Sequence, residues 1–281
     1  VASYMLEWYK VGGVRIRITN MTLPMKSGLS SSAAICVLVA RAFNLLYNLN
    51  LNTMGEMNIA YLGEQRTSSR CGRLDQACAF GVKPNLMTFD GDEIEVQSLN
   101  VKKTLHWVFA DLCTAKDTIR ILSDLNKPYP FAQNEKEQNL HRALGEWNHK
   151  IIERAVKYMA EGQVEQLGQL MTETENMFEE YITPMSPALQ APKLHEVLRD
   201  PAIQPLVYGG KGVGSHGDGS VQFLARDAES QKKLVDYLYS EGMRAYQLTI
   251  NPVHTVRRAI IPVAGFGTRL YPATRGLKKD F

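Results

Sequence analysis

The order of helical and strand patterns along these 281 residues predicts an α+β fold. Three stretches carry that prediction. A helical pattern opens at Ser30-Ser31-Ser32-Ala33-Ala34, a hairpin pattern surrounds Asp90-Gly91-Asp92, and a long helical run from Asn134 to about Tyr181 leads into strand, helix and strand.

Taken in order, Val14 to Ile18 alternates at period two and reads as a strand. Ile35, Val37, Leu38, Val39, Phe43, Leu45 and Leu46 make the next helix apolar almost all round, so it is expected to run through a core with no wet face. A second helix spans roughly Met54 to Gln65. Leu86-Met87-Thr88-Phe89 and Glu93-Ile94-Glu95-Val96 form the hairpin, and Trp107 to Ala110 the next strand. Gly162 is expected to stop a helix within the long helical run, and Ala188 to Leu198 reads as one further helix. A glycine-rich loop follows, then the strand Val221 to Ala225, the helix Ala228 to Glu241 and the strand Ala245 to Ile250.

Composition bounds the function. A net charge of +3 and the absence of basic runs interleaved with aromatics argue against nucleic acid as a partner. No apolar run approaches membrane-spanning length, and no signal-peptide pattern follows Val1. Cys36, Cys71, Cys78 and Cys113 show no paired zinc spacing, so reduced thiols in a cytoplasmic protein are expected. His106, His141, His149, His195 and His254 sit singly and suggest no ligand set.

Chemistry concentrates at Lys26-Ser27-Gly28-Leu29-Ser30-Ser31-Ser32. A glycine followed by hydroxyls at a helix start aims unpaired amides, the positive end of the helix dipole and small side chains at one point, which suits phosphate. The same run also serves as a plain N-cap. On residues alone Glu64 reads as a solvated helix face and Asp75 as a turn or cap residue. Gly212, Gly214 and Gly217 satisfy the dinucleotide fingerprint, but a strand rather than a helix follows them, so that reading fails on context. A protein-kinase glycine loop finds neither His-Arg-Asp nor Asp-Phe-Gly to accompany it.

Pro24 through Ala34 resembles, position by position, the central motif of the GHMP kinases, the small-molecule kinases that include galactokinase, homoserine kinase and mevalonate kinase. Cys71-Gly72-Arg73-Leu74-Asp75-Gln76 is similar to the galactokinase form of that family's catalytic loop, with Arg73 in place of the usual apolar residue. Lys211-Gly212-Val213-Gly214-Ser215-His216-Gly217-Asp218-Gly219 resembles the third motif, with His216 and Asp218 where glycine or a small residue is more usual. The resemblance implies a two-part GHMP fold: a ribosomal S5 domain 2-like part lacking its first strands over residues 1–110, and a ferredoxin-like α+β part over 111–254. It implies ATP and Mg²⁺ as cofactors, Lys26 to Ser32 on the phosphates, Ser32 and Glu64 on the metal, Asp75 as catalytic base, and Lys211, Gly212, Gly214, Gly217 and Gly219 closing around phosphates and substrate. Without the resemblance that loop reads as a flexible glycine hairpin.

Residues 255–281 change character. Gly265, Gly267, Thr268, Arg269 and Lys279 look like the triphosphate-wrapping loop of a sugar-1-phosphate nucleotidyltransferase, although a C-terminal strand with a turn accounts for the same residues. Nothing before Pro24 resembles the kinases' first motif, so the chain is expected to be an internal piece of a longer polypeptide in which a kinase is fused to a nucleotidyltransferase. That pairing favours a sugar, phosphorylated at the anomeric hydroxyl, as the small-molecule substrate. A mevalonate-type or other non-sugar kinase, and a regulatory module that binds nucleotide or sugar without turnover, remain the alternatives.

Overall fold

The computed structural model describes residues 1–20, 30–67, 72–91, 93–114 and 117–252. In the first half, α1 (Ala2–Trp8) lies on α2 (Ser31–Tyr47) and α3 (Thr53–Glu64). Asn52 caps α3 by accepting from the Gly55 amide at 2.8 Å. A 3₁₀ helix over Arg73–Phe80 closes this layer, packing Ala79 and Phe80 against Val37, Met57 and Ala60. The predicted hairpin follows as β1 (Asn85–Asp90) and β2 (Glu93–Ser98), antiparallel, with Asp90 opposite Glu93.

The second half is built on a four-stranded antiparallel sheet. β3 (Leu105–Asp111) leads into the helices, where Asp117 caps α4 (Thr118–Asn126) and Asn134 caps α5 (Glu135–Arg142). α5 passes through a wider π turn over Ala143–Trp147 into α6 (Asn148–Glu161). Gly162 ends α6 at φ 72°, a left-handed cap that glycine adopts without strain, and α7 (Val164–Tyr181) turns back. Then come α8 (Pro192–Leu198), β4 (Val207–Gly212), β5 (Ser220–Ala225), α9 (Ala228–Ser240) and β6 (Arg244–Ile250), with sheet order β4-β5-β3-β6. Period-two alternation divides β3 between two cores. Val108 and Ala110 join Val221, Phe223 and the apolar sides of α8 and α9, whereas Leu105 and Trp107 join Leu224 and residues of α6 and α7. The fold is therefore α+β with antiparallel sheets, as the sequence predicts. The expected boundary at 110 falls inside β3, whose ladder partners are β5 and β6.

Four local expectations are corrected. α2 has a wet face: Ala33, Val37, Ala40 and Phe43 are buried, but Leu38, Leu45 and Leu46 are 58%, 71% and 60% exposed. A helix resting on neighbours along one side buries only that stripe, however apolar the rest. Val14 to Ile18 makes no ladder among the described residues, and Ile16 and Ile18 are exposed, so alternation without a partner strand leaves an irregular segment. The expected helix from Ala188 breaks at Ala191, which takes φ 45° ahead of Pro192; a residue before proline is driven out of the right-handed helical region. Lys211 and Gly212, expected in the glycine loop, are the last two residues of β4. There a Cβ at Gly209 would lie 1.9 Å from the Gly168 carbonyl oxygen, so this glycine serves the close approach of α7 to β4.

Candidate active site

The site grows from the head of α2. Ser30 stands at its N-cap with φ 52° and ψ 36°, and its side chain makes no capping bond. Its hydroxyl is instead donated to Asp75 Oδ1 on the 3₁₀ helix, in a short contact. The first intrahelical bond is Ala34 N–H to the Ser30 carbonyl at 3.1 Å. Helix geometry therefore leaves the Ser31, Ser32 and Ala33 amides without helical acceptors, at the positive end of a 17-residue helix. Ser32 in that turn is exposed and Ser31 half-buried.

Glu64 ends α3 and is 2% exposed. Gln76 Nε2 donates to its Oε2 at 2.9 Å. Oε1 is buried with no hydrogen-bond partner among the described residues. A buried carboxylate oxygen left bare is costly unless something positive meets it, so the site fits a hard cation that takes carboxylate and hydroxyl oxygens. Glu64 would be a ligand to such an ion, since magnesium is commonly bound by one or two carboxylates plus substrate phosphates.

A polar network locks the three helices that carry these groups. Arg41 of α2 donates through Nε to Glu56 of α3 at 2.8 Å and through Nη2 to the Ala79 carbonyl of the 3₁₀ helix at 3.0 Å. Asn44 donates to the other Glu56 oxygen at 2.8 Å. The Arg73 guanidinium stacks 5.1 Å from the Tyr61 ring centroid, tying the head of the 3₁₀ helix to α3. Burial, with the nearby Glu64 charge adding to it, pushes the Cys36 thiol up, and burial likewise raises Cys78. Both stay protonated at neutral pH and are unsuited to nucleophilic work.

The glycine loop occupies residues 213–219 between β4 and β5. Gly214, His216 and Gly217 all take positive φ, at 62°, 57° and 70°. Glu175 of α7 accepts from the Gly212 amide at 2.8 Å and lies 3.4 Å from His216 Nδ1, while the His216 ring stacks on Phe178 with centroids 3.5 Å apart. Burial pushes the Glu175 carboxyl up, but His216, the Gly212 amide and Lys211 together outweigh it and hold the group below its ordinary value. Burial lowers the Lys211 ammonium, against an opposing pull from Glu175.

Of the residues singled out in the sequence, Ser30 and Asp75 meet directly, and Glu64 adjoins Asp75's neighbour Gln76. Lys211 and Gly212 lie at the end of β4, with Gly214, Gly217 and Gly219 in the turn beyond it. Lys26, Ser27, Gly28 and Leu29, and all of Gly265, Gly267, Thr268, Arg269 and Lys279, fall outside the described residues. Sequence reading assigns no task to Gln76, Arg41 or Glu175. Gln76 stands inside a quoted motif, which is a signal; Glu175 stands mid-helix among other acids and offers none.

Residues 1–82 match the family described as GHMP kinases N terminal domain. The galactokinase of Pyrococcus furiosus is 29% identical over 188 residues, which cover 59% of this chain and 53% of that protein. The galactokinase of Thermotoga petrophila is also 29% identical, over 197 residues, 61% of this chain and 55% of the relative. The chain thus spans about half the length of the curated relatives it matches. Among solved structures, L. major mevalonate kinase in complex with R-mevalonate superposes with a TM-score of 0.64 at 18% identity, over 80% of this chain and 67% of the other. Lactococcus lactis galactokinase complexed with galactose gives 0.61 at 17% identity, over 82% and 67%. The fold is that of the GHMP kinases.

Proposed function

We propose that this chain, which carries a GHMP kinases N terminal domain and the fold of solved GHMP kinases, is the kinase part of an ATP-dependent enzyme that phosphorylates a sugar, at its anomeric hydroxyl. The observation that carries the reading is that Asp75 meets Ser30 at the amide-rich head of α2 while its neighbour Gln76 holds Glu64, one buried oxygen of which is left bare. Phosphoryl transfer asks the protein for positioning and charge stabilisation more than for covalent chemistry, and this arrangement suits that task.

In this reading the Lys26 to Ser32 segment cradles the triphosphate through amides and hydroxyls. Ser32 and Glu64 would hold a magnesium ion, which would supply positive charge to offset that of the phosphates. Asp75 orients the acceptor hydroxyl and takes its proton; Ser30 donates to one Asp75 oxygen and so steers the other toward the substrate. Lys211 and the glycines at 212, 214, 217 and 219 close over phosphates and sugar. Similarity to curated galactokinases supports a sugar over mevalonate as acceptor. A cytoplasmic nucleotide-sugar pathway, with residues 255–281 beginning a fused nucleotidyltransferase, completes the proposal; among the described residues no helix is long and apolar enough to cross a membrane.

ADP release by the full-length protein tests it, with Mg-ATP and a panel of free hexoses, uronic acids, mevalonate and homoserine. Release with one sugar, lost in Asp75→Asn while ATP binding persists, is the expected result. Release with mevalonate or homoserine instead would overturn the sugar assignment, and ATP binding without release under any acceptor would overturn the enzyme.

A further inference from the structure

Both loop residues that depart from the small residues of the third motif help to tie the loop down. His216 is 4% exposed, stacked on Phe178 and paired with Glu175, both on α7. Asp218 Oδ1 accepts the Leu194 amide of α8 at 2.8 Å, and its carbonyl accepts the Thr114 hydroxyl. Glu175 itself is 4% exposed and also holds the Gly212 amide where the loop leaves β4. A histidine at φ 57° is a strained choice that persists only where surroundings over-determine it. A Cβ at Gly212 would come within 2.5 Å of His216 Nδ1, so strand end, imidazole and carboxylate are packed without slack.

We infer that Glu175 is a positioning residue that latches the glycine loop to α7, holding the loop amides in the shape in which they meet nucleotide phosphate. The nucleotide part of this inference rests on the kinase reading above. Clustered positive-φ residues are how a chain turns successive amides toward one anion, and that shape is useful only if it is already formed when the anion arrives. α7 is a firm anchor because its Gly168 meets the β4 backbone directly: a Cβ there would lie 2.3 Å from Tyr208 Cβ. A buried polar contact is replaceable by apolar packing as far as stability goes, so the value of this one is the loop shape it specifies. Glu175, Glu179 and His195 lie close enough to suggest a metal cluster. Arg199 engages Glu179 at 2.7 Å and the loop engages Glu175, so the charges are met within the protein.

The test compares full-length wild type with Glu175→Gln by hydrogen exchange and by binding of a non-hydrolysable ATP analogue. The latch predicts about tenfold faster exchange of the amides at 213–219, with α7 amides around Leu170 unchanged. It predicts about tenfold weaker analogue binding at a temperature where both proteins are fully folded, which a general loss of stability would not produce. Unchanged loop exchange overturns the latch, and faster exchange with unaltered analogue binding overturns its nucleotide role. If Glu175→Gln fails to fold, Asp218→Ala cuts the tether to α8 and carries the same comparison. Wild type that binds no analogue sinks the kinase reading and the nucleotide role together, and loop exchange then still decides the latch.

Discussion

Gln76 Nε2 donates to Glu64 Oε2 at 2.9 Å, and this bond determines which oxygen of a buried carboxylate is left for a cation. An outer partner of this kind orients a metal ligand, and its removal commonly costs 10–100-fold in metal affinity or activity. Gln76→Leu is therefore expected to raise the Mg²⁺ concentration giving half-maximal activity by roughly tenfold or more. A magnesium titration of initial rates checks this; an unshifted curve would contradict a role for Gln76 in orienting Glu64 toward a cation.

Arg41 joins α2, α3 and the 3₁₀ helix through a largely buried Glu56. Among the described residues, Arg41→Met leaves Asn44 as the one side chain bonded to that carboxylate. The expected cost is about 2–3 kcal/mol of stability, read by thermal or urea unfolding. Activity should fall with it, because the same helices carry Glu64 and Asp75.

Much of the site is legible in the sequence and part of it is not, for physical reasons. Glu64 and Asp75 stand out because their spacing from the serine motif matches a known arrangement. The Gln76 task depends on which carboxylate oxygen a side chain meets, and spacing along a chain does not encode that. Glu175 lies in the run Glu173, Glu175, Glu179, Glu180, where most acids face water; only the fold reveals that this one turns toward β4. The hairpin and the strands of the second half follow from period-two patterns with turn signals. Val14 to Ile18 and the outer face of α2 do not, because local hydrophobicity says what a segment prefers and not what is present to cover it.

Gly209→Ala tests the α7–β4 contact. With the new methyl required to sit 1.9 Å from the Gly168 carbonyl oxygen, both backbones must separate. A loss of about 3 kcal/mol or failure to fold is expected, measured by urea midpoint. Gly242→Ala, at a turn with open space around it, should cost about 1 kcal/mol, through its φ of 79° alone.

The Glu175 latch carries a pH signature. Its carboxyl is held below the ordinary 4.5, so its contribution is complete above that value and is lost as pH falls through the depressed folded value. The groups facing it are His216, Lys211, Glu179, His195 and the Gly212 amide. The stability difference between wild type and Glu175→Gln should be fully present above the ordinary carboxylate value and shrink as pH falls through the depressed folded one. Thermal melts across that range check it; a difference that grows on acidification would reverse the assignment.

The most direct test of the central claim is the position of the transferred phosphate. Phosphorus NMR of full-length protein with Mg-ATP and the sugar that gives ADP release in the acceptor panel should show ADP and a sugar phosphate whose signal is split by the anomeric proton, with neither formed by Asp75→Asn. Intact ATP, phosphate released only to water, or a phosphoryl group on another hydroxyl would contradict it.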